Sequence, residues 1–285
     1  MFSQNLKYSV LFIFRFLNIL SLDAPLVVLL WSEIICIQFE KTIPTDYKIV
    51  FFFSTWLAYS ADRFLESYSK NKDSFTCDRH LFFFKNKMVY ILIWFTIFGL
   101  AICIAVKEFL LQNLILCFGL LAIVILNQLQ SFFRSSRVER IFPKNIRTSL
   151  ILSLTCFYLP LLFSLDFSIE FLSSFLVLAN LFFYNCLKIK FWEESDNRFK
   201  FKKYNSITKN HIGVPSQVKI SLFSVGAFCI IIFNQTLYLL LISIVLTLVF
   251  AIMIERTKLA LRSKRVFLDQ LFWIIPALII LQLCL

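Results

Sequence analysis

The chain has 285 residues, of which 59% are apolar and only 16% are charged, and its mean hydropathy is +0.80. Soluble domains have about 45–50% apolar and about 25% charged residues, so this composition excludes a soluble domain and predicts an integral membrane protein. Thirty-six Phe beside four Gly and six Pro also exclude a collagen-like or disordered chain.

Nine apolar runs are long enough, or nearly long enough, to cross a hydrocarbon core, which requires about 20 helical residues. These runs cover residues 24–39, 47–62, 88–106, 109–132, 148–165, 168–188, 219–234, 236–254 and 267–285. We therefore predict an all-α fold in which residues 1–285 form one membrane-embedded domain, a bundle of nine transmembrane helices. Residues 8–21 are apolar too, but Arg15 and Asn18 interrupt them at helical spacing, which predicts an amphipathic helix at the membrane interface.

The positions of Lys and Arg predict the orientation of the bundle, because the cytoplasmic loops of membrane proteins are enriched in these residues. Segments 63–87, 134–147, 188–219 and 256–265 carry 24 of the 29 Lys and Arg residues. This alternation places the N-terminus and these four loops in the cytoplasm and the C-terminus outside. The net charge of +12 is therefore a topology signal, and we expect no nucleic-acid partner.

The first of two cytoplasmic acidic clusters follows the second apolar run, at the start of a motif loop that covers about residues 62–87. Asp62 and Glu66 are four residues apart, so a continuing helix places both carboxylates on one face. Such carboxylates repel each other unless a cation lies between them, and Mg²⁺ suits this position because it binds carboxylates together with phosphate oxygens. The alternative is an ordinary interfacial helix end, in which Asp62 pairs with Arg63 or faces water.

The second acidic cluster follows the sixth apolar run, in the loop 188–218, and contains Glu193 and Asp196. Asn185, on the same predicted helix, precedes Asp196 by eleven residues, which is close to three turns, so the two share a face. An amide inside an apolar run is costly unless it has a partner or faces a wet cavity. The alternative is a satisfied interhelical hydrogen bond beside an ordinary charged loop.

Basic residues accompany these acids. Arg63 adjoins the first cluster, Arg198 adjoins the second, and Lys144 directly precedes the fifth apolar run. Carboxylates for a metal and Lys or Arg for phosphate are what a diphosphate ester requires at a membrane surface. The alternative for Lys144 is a positively charged anchor at the cytoplasmic end of its span.

Other polar residues carry weaker predictions. Near the cytoplasmic end of the fourth run, three amides either line a polar pocket or anchor the interface: Asn127, Gln128 and Gln130. Glu33 lies inside the first run and is expected to face a cavity or an ionic partner. Asp23 and Asp269 each flank the start of a run, where they complement a helix dipole.

With acidic motifs after the second and sixth of nine runs, the chain resembles the UbiA-type intramembrane prenyltransferases, whose first motif is written NDxxDxxxD. Asp62 and Glu66 match the last two acids of that motif, whereas Ala58 and Tyr59 stand at its Asn and Asp. The chain is more similar to a divergent bacterial branch of UbiA-like proteins. The segments that carry this similarity are residues 20–27, 59–66, 79–80, 142–144 and 192–193, together with Asp269 and Pro276.

The resemblance implies a multi-pass enzyme of the bacterial inner membrane. It would bind Mg²⁺ and a prenyl diphosphate and transfer the isoprenyl group to a membrane-soluble, aromatic or lipid-like acceptor. The implied catalytic and metal-binding residues are Asp62, Glu66, Glu193 and Asp196. The implied substrate contacts are Arg63, Lys144, Asn185 and Arg198.

Two alternatives stay open. Ala58 and Tyr59 suggest a UbiA-like protein that binds a lipid or a partner without catalysis. Glu33 and Asn185 suggest a transporter or flippase, in which polar groups within spans mark a substrate path. The sequence shows no inverted repeat, and the acids cluster at one membrane face, which favours the prenyltransferase.

Overall fold

The computed structural model of the chain describes residues 12–69, 78–132, 143–163, 168–201, 238–257 and 259–285, without the side chains of 66–69, 78–81, 131–132, 193–201 and 262. The described residues are helical and contain no strand, which confirms the all-α prediction. The helices are α1 (Phe12–Ile19), α2 (Asp23–Gln38), α3 (Thr45–Ser69), α4 (Asp78–Lys85), α5 (Lys87–Glu108), α6 (Leu111–Phe132), α7 (Lys144–Leu162), α8 (Ile169–Phe201), α9 (Tyr238–Arg256) and α10 (Leu261–Cys284).

Six helices in the described part of the chain are long and apolar enough to cross a membrane. They are α5, α6, α7, α9, residues Ile169–Trp192 of α8 and Ser263–Cys284 of α10. Helices α1 and α2 meet at a bend of 92° and together form one candidate broken span. These helices are therefore compatible with a multi-pass membrane protein, whereas the count of nine spans and the orientation stay predictions. The predicted run 219–234 lies outside the described residues.

Helix α3 is 25 residues long, about 37 Å, but it carries charged residues at both ends. Asp46 and Lys48 lie near its start, and Asp62, Arg63 and Glu66 lie in its last turns. These charges lie on either side of an apolar centre that begins at Ile49 and ends at Ala61. The helix therefore presents polar groups at both ends of the bundle.

Helix α2 forms the centre of the bundle and packs against α3, α7, α9 and α10. Val28, Trp31, Ile34 and Ile35 are fully buried, as expected of a helix that is apolar on all sides. The Trp31 indole Nε1 donates a hydrogen bond to the carbonyl oxygen of Phe272, 2.8 Å away. This bond fixes α2 against α10 in the middle of the apolar core.

Helices α5 and α6 lie at the periphery, and only 11% and 6% of the residues in their spans are buried. Their exposed side chains include Leu92, Phe95, Leu116 and Phe118. An apolar surface of this extent is unfavourable in water, but lipid tails solvate it. The exposure of these two helices therefore supports a lipid bilayer as the environment of the bundle.

The chain turns through about a right angle, 92°, between α1 and α2. Ser21 adopts a left-handed backbone conformation with φ of 59°, which permits the bend. The Trp56 Nε1 of α3 donates to the Leu20 carbonyl oxygen at 2.9 Å and holds the turn against the bundle. Phe12, Arg15 and Phe16 of α1 are exposed and Asn18 is buried, and the amphipathic helix expected at the membrane interface stays a prediction.

Candidate functional site

Charged side chains from five helices lie at one end of the bundle, which we call the basic end. It is defined by Asp62 of α3, Lys144 of α7, Lys188 of α8, Glu255 of α9 and Arg265 of α10. Helices α3, α8 and α9 finish there, and α7 and α10 begin there. The basic end brings together Asp62 of the first acidic cluster and Lys144, which precedes the fifth predicted span.

Asp62 and Lys144 form an ion pair at the basic end. The Lys144 Nζ lies 3.4 Å from Asp62 Oδ1 and 3.5 Å from Oδ2. The Lys144 side chain is 30% exposed and the Asp62 side chain is 21% exposed, so water reaches both partners. Asp62 and Lys144, which the sequence placed in separate loops, are therefore in contact and join α3 to α7.

Arg63 is directed along its own helix towards Tyr59. The Arg63 Nη2 donates to the Tyr59 hydroxyl at 2.5 Å, and the guanidinium carbon lies 4.7 Å from the centre of the Tyr59 ring. Tyr59 stands where the resembled motif has Asp, and here its hydroxyl accepts a bond from the cation four residues on. Arg63 is thus held at the basic end by a cation–π contact as well as a hydrogen bond.

The amides of α6 join it to its neighbours. The Gln128 Nε2 donates to the Ala58 carbonyl oxygen of α3 at 2.7 Å, and the Gln130 Oε1 accepts from the Arg147 Nη1 of α7 at 2.9 Å. The sequence predicted either pocket lining or interfacial anchoring for these amides. The structure gives Gln128 and Gln130 a third role, because each makes an interhelical hydrogen bond.

The remaining predicted residues of the first and second clusters lie on two continuous helices. Helix α3 runs to Ser69, so positions 62 and 66 are on one face, and α8 runs to Phe201, about 13 Å beyond Trp192. The side chains of Glu66, Glu193, Asp196 and Arg198 lie outside the described residues.

Asn185 lies on α8 and is half-buried. Its Oδ1 is buried and has no hydrogen-bond partner in the described part of the chain. Lys188, one of the residues that define the basic end, follows Asn185 by three residues, about one turn of the helix. This turn of α8 therefore lies close to the basic end, and the Asn185 amide could accept a hydrogen bond from a ligand there.

A magnesium site is consistent with the predicted ligands by type, because carboxylate oxygens are the ligands that this ion prefers. Among the described side chains, no group of three or more His, Cys, Asp or Glu could hold a metal ion. Three of the four predicted ligands, Glu66, Glu193 and Asp196, are not among those side chains. The metal site therefore stays a prediction.

The sequence missed a buried polar cluster that joins the first and last helices. The Asn18 Nδ2 lies 2.8 Å from Asp23 Oδ2 and 2.9 Å from Asp269 Oδ2. Asn18, Asp23, Asp269 and Arg265, one turn before Asp269, are each less than one-tenth exposed. The prediction that Asp269 complements a helix dipole is wrong, because α10 begins at Leu261 and Asp269 lies two turns inside it.

Lys188 is a second buried charge that the sequence did not single out. It is 8% exposed, pairs with the carboxylate of Glu255 and lies 5.7 Å from the centre of the Tyr184 ring. Lys264 of α10 donates to the backbone carbonyl oxygen of Glu255 at 2.7 Å. These contacts join α8, α9 and α10 at the basic end.

Glu33 lies away from the basic end, where it pairs with Lys48 of α3. The Lys48 Nζ is 2.8 Å from Glu33 Oε2, and both side chains are part-exposed. The expectation of an ionic partner is therefore confirmed. Because Lys48, near the start of α3, compensates the charge of Glu33, this carboxylate no longer suggests the substrate path of a transporter or flippase.

An apolar groove of about 410 Å³ lies between α7 and α8, lined by Leu154, Leu161, Phe171 and Phe175 among others. Leu154 and Leu161 are ten and seventeen residues beyond Lys144, about 15 and 25 Å along α7. The groove is thus distant from the charged groups and is not a diphosphate pocket.

Comparison of the chain with protein-family models, with curated proteins and with solved structures finds no match. The resemblance to the UbiA-type proteins therefore rests on the sequence segments and motif positions given above.

Proposed function

We propose that the chain is a membrane-embedded prenyltransferase that transfers an isoprenyl group from a prenyl diphosphate to a membrane-soluble acceptor. The observation that supports this proposal best is the contact between Asp62 and Lys144 at the charged end of an otherwise apolar bundle. A carboxylate for a metal and an ammonium for a phosphate then lie side by side, next to helices that could accommodate an apolar tail. The acidic extension of α8 begins at the same end.

In this proposal the diphosphate binds at the basic end, and its hydrocarbon tail lies among the helices. Lys144 and Arg198 would contact phosphate oxygens, Arg63 would add positive charge, and the Asn185 Oδ1 would accept a hydrogen bond from the acceptor. Reaction breaks the allylic carbon–oxygen bond and leaves its electron pair on the diphosphate. The acceptor then forms the new bond to the allylic carbon and gives its proton to the released diphosphate.

The acids Asp62, Glu66, Glu193 and Asp196 would hold Mg²⁺, which stabilises negative charge on a leaving diphosphate. Lys144 would have to turn from Asp62 towards the phosphate when the carboxylate binds the ion. The ion pair is long and part-exposed, so this exchange costs little. The bundle itself excludes water from the allylic carbon, which protects it from hydrolysis.

The test is Mg²⁺-dependent binding of a non-hydrolysable prenyl thiolodiphosphate to the purified chain in detergent. We expect Asp62→Asn and Asp196→Asn each to abolish the magnesium dependence. Asp46→Asn is the matched control, because it removes one carboxylate from the opposite end of α3, and it should bind as the wild type does. Binding that is absent, or indifferent to magnesium and to both substitutions, would contradict the proposal.

A second candidate function is binding of a lipid or a partner without catalysis. It is favoured by the contacts around the altered motif, where Arg63 holds Tyr59, Gln128 holds Ala58 and Lys144 neutralises Asp62. These contacts satisfy the site internally. The same titration separates the two candidates, since a silent binder would take the thiolodiphosphate equally well with and without magnesium, or not take it at all.

A further inference from the structure

Arg147 is a buried cation near the start of α7. Its side chain is 6% exposed, and its Nη1 bonds to a neutral partner, the amide oxygen of Gln130. The Arg147 Nε is buried and has no hydrogen-bond partner in the described part of the chain. Burying a guanidinium is unfavourable unless an anion compensates its charge, so this site favours a negatively charged ligand.

The start of α7 adds further attraction for an anion. Pro143 precedes the helix and provides no side-chain cap, and its carbonyl oxygen accepts bonds from the N–H groups of Ile146 and Arg147. The positive end of the helix dipole therefore lies beside Lys144 and Arg147 with no acidic residue in the first turn. These two cations are three residues apart, so their side chains leave the helix on the same side.

We propose that Arg147, together with Lys144, binds a phosphate group at the start of α7. A guanidinium presents two N–H groups in a fork that matches two phosphate oxygens, whereas an ammonium acts as a point charge. Among the described side chains, Asp62 is the acid that faces this site, 3.4 Å from Lys144. Its carboxylate repels a bare anion, so the site favours a ligand that carries a cation or one that draws Lys144 away from Asp62.

This inference deepens the proposed function, on which it rests for the identity of the ligand as a diphosphate. The chemistry of the site is shared by two sources of phosphate, a diphosphate ester and the headgroup of a phospholipid. Both present two or more anionic oxygens at the depth where α7 begins. The experiment therefore includes an arm for each.

The experiment titrates inorganic diphosphate, with Mg²⁺, into the purified chain in phosphatidylcholine nanodiscs. We expect Arg147→Gln to weaken binding by about 10- to 100-fold, because it removes charge-assisted hydrogen bonds. Arg147→Lys should retain part of the affinity, since it keeps the charge and loses the fork. Lys264→Gln is the matched control, because it removes one positive charge from the basic end outside the site.

Wild-type affinity in Arg147→Gln, an equal loss in Lys264→Gln, or no binding by the wild type would each overturn the inference. Gln130→Leu tests a purely structural role, because it removes the neutral partner and keeps the guanidinium. A loss as large as that of Arg147→Gln would also overturn the inference. We expect Gln130→Leu to bind within about threefold of the wild type, since one neutral hydrogen bond contributes little.

Adding phosphatidic acid to the nanodiscs distinguishes the sources of phosphate. If it leaves diphosphate binding unchanged, the site takes the soluble diphosphate, and if it competes through Arg147, the site takes a lipid headgroup. Both results support a phosphate site. Binding that needs Arg147 but neither Mg²⁺ nor Asp62 would support this inference and contradict the metal-assisted function, and binding that needs Mg²⁺ and Asp62 but not Arg147 would do the reverse.

Discussion

The side-chain amide of Asn18 lies 2.9 Å from Asp269 Oδ2 and so joins α1 to α10 across 251 residues of sequence. The same nitrogen lies 2.8 Å from Asp23 Oδ2, so one amide holds two buried carboxylates together. Two carboxylates that share one donor are close enough to repel each other when both are ionised. Asn18 therefore helps to hold the first described helix on the bundle.

Asn18→Leu should destabilise the fold by about 1–3 kcal/mol, because it leaves two buried carboxylates without their shared donor. Thermal unfolding of the purified chain in detergent measures this loss. Asn86→Leu is the control, since the side-chain amide of the exposed Asn86, between α4 and α5, donates to the nearby carbonyl oxygen of Phe82 at the end of α4, and its loss should change little. Adding Asp269→Leu to Asn18→Leu should recover part of the loss, and a double variant less stable than the single one would contradict this account.

Asp62 and Lys144 should stabilise the fold weakly, although they matter for ligand binding in the proposal. A part-exposed pair at 3.4 Å contributes about 0.2–1 kcal/mol. A double-mutant cycle with Asp62→Asn and Lys144→Gln, followed by unfolding in low and high salt, measures the coupling directly. A coupling energy well above this range, or one that salt does not reduce, would show that the pair is a structural bond rather than an exchangeable one.

The helices were predictable because each apolar run is long and the loops between several runs are strongly basic. Helix ends were less predictable, since α3 and α8 continue past their apolar runs into charged segments. These two helices end at Ser69 and Phe201. The Glu33–Lys48 pair carried a usable signal, because a tight turn between antiparallel helices brings positions near 33 and 48 together. The contacts of Asn18 with Asp269 and of Asp62 with Lys144 carried none, as they depend on how distant helices pack.

Lys188 should tolerate loss of its own charge better than loss of its partner. Glu255→Gln leaves a buried ammonium uncompensated, and we expect a loss of about 1–3 kcal/mol, less than for a fully buried pair because the Glu255 side chain is 43% exposed. Lys188→Met removes the charge together with its desolvation cost and keeps the contact with Tyr184, so its loss should be smaller.

The comparison of Glu255→Gln with Lys188→Met uses thermal unfolding in detergent. The matched control is the pair Lys107 and Glu108, 3.1 Å apart and exposed, where Glu108→Gln should cost less than about 0.5 kcal/mol. Equal losses in Glu255→Gln and Glu108→Gln would show that water compensates Lys188. A larger loss in Lys188→Met than in Glu255→Gln would show that the ammonium is net stabilising.

The orientation of the bundle is testable with reporters that are active on only one side of the membrane. The positive-inside pattern predicts that the loops 63–87 and 188–219 lie in the cytoplasm and that the C-terminus lies outside. A phosphatase fused after Leu285 should therefore be active, and the same enzyme fused within 63–87 should be inactive. Activity of a cytoplasmic reporter at Leu285 would mean an even number of spans between the N-terminus and that residue.

An even number of spans has a specific structural explanation in this chain. The helices α1 and α2 meet at 92°, and if together they form a re-entrant segment, the chain loses one crossing before α3. A reporter placed between α2 and α3, after Lys41, decides this point. If the reporter is active outside the membrane, α2 is a complete span. If it is active in the cytoplasm, Glu33 and Lys48 lie on the cytoplasmic side and the basic end lies outside, the reverse of what the charge pattern predicts.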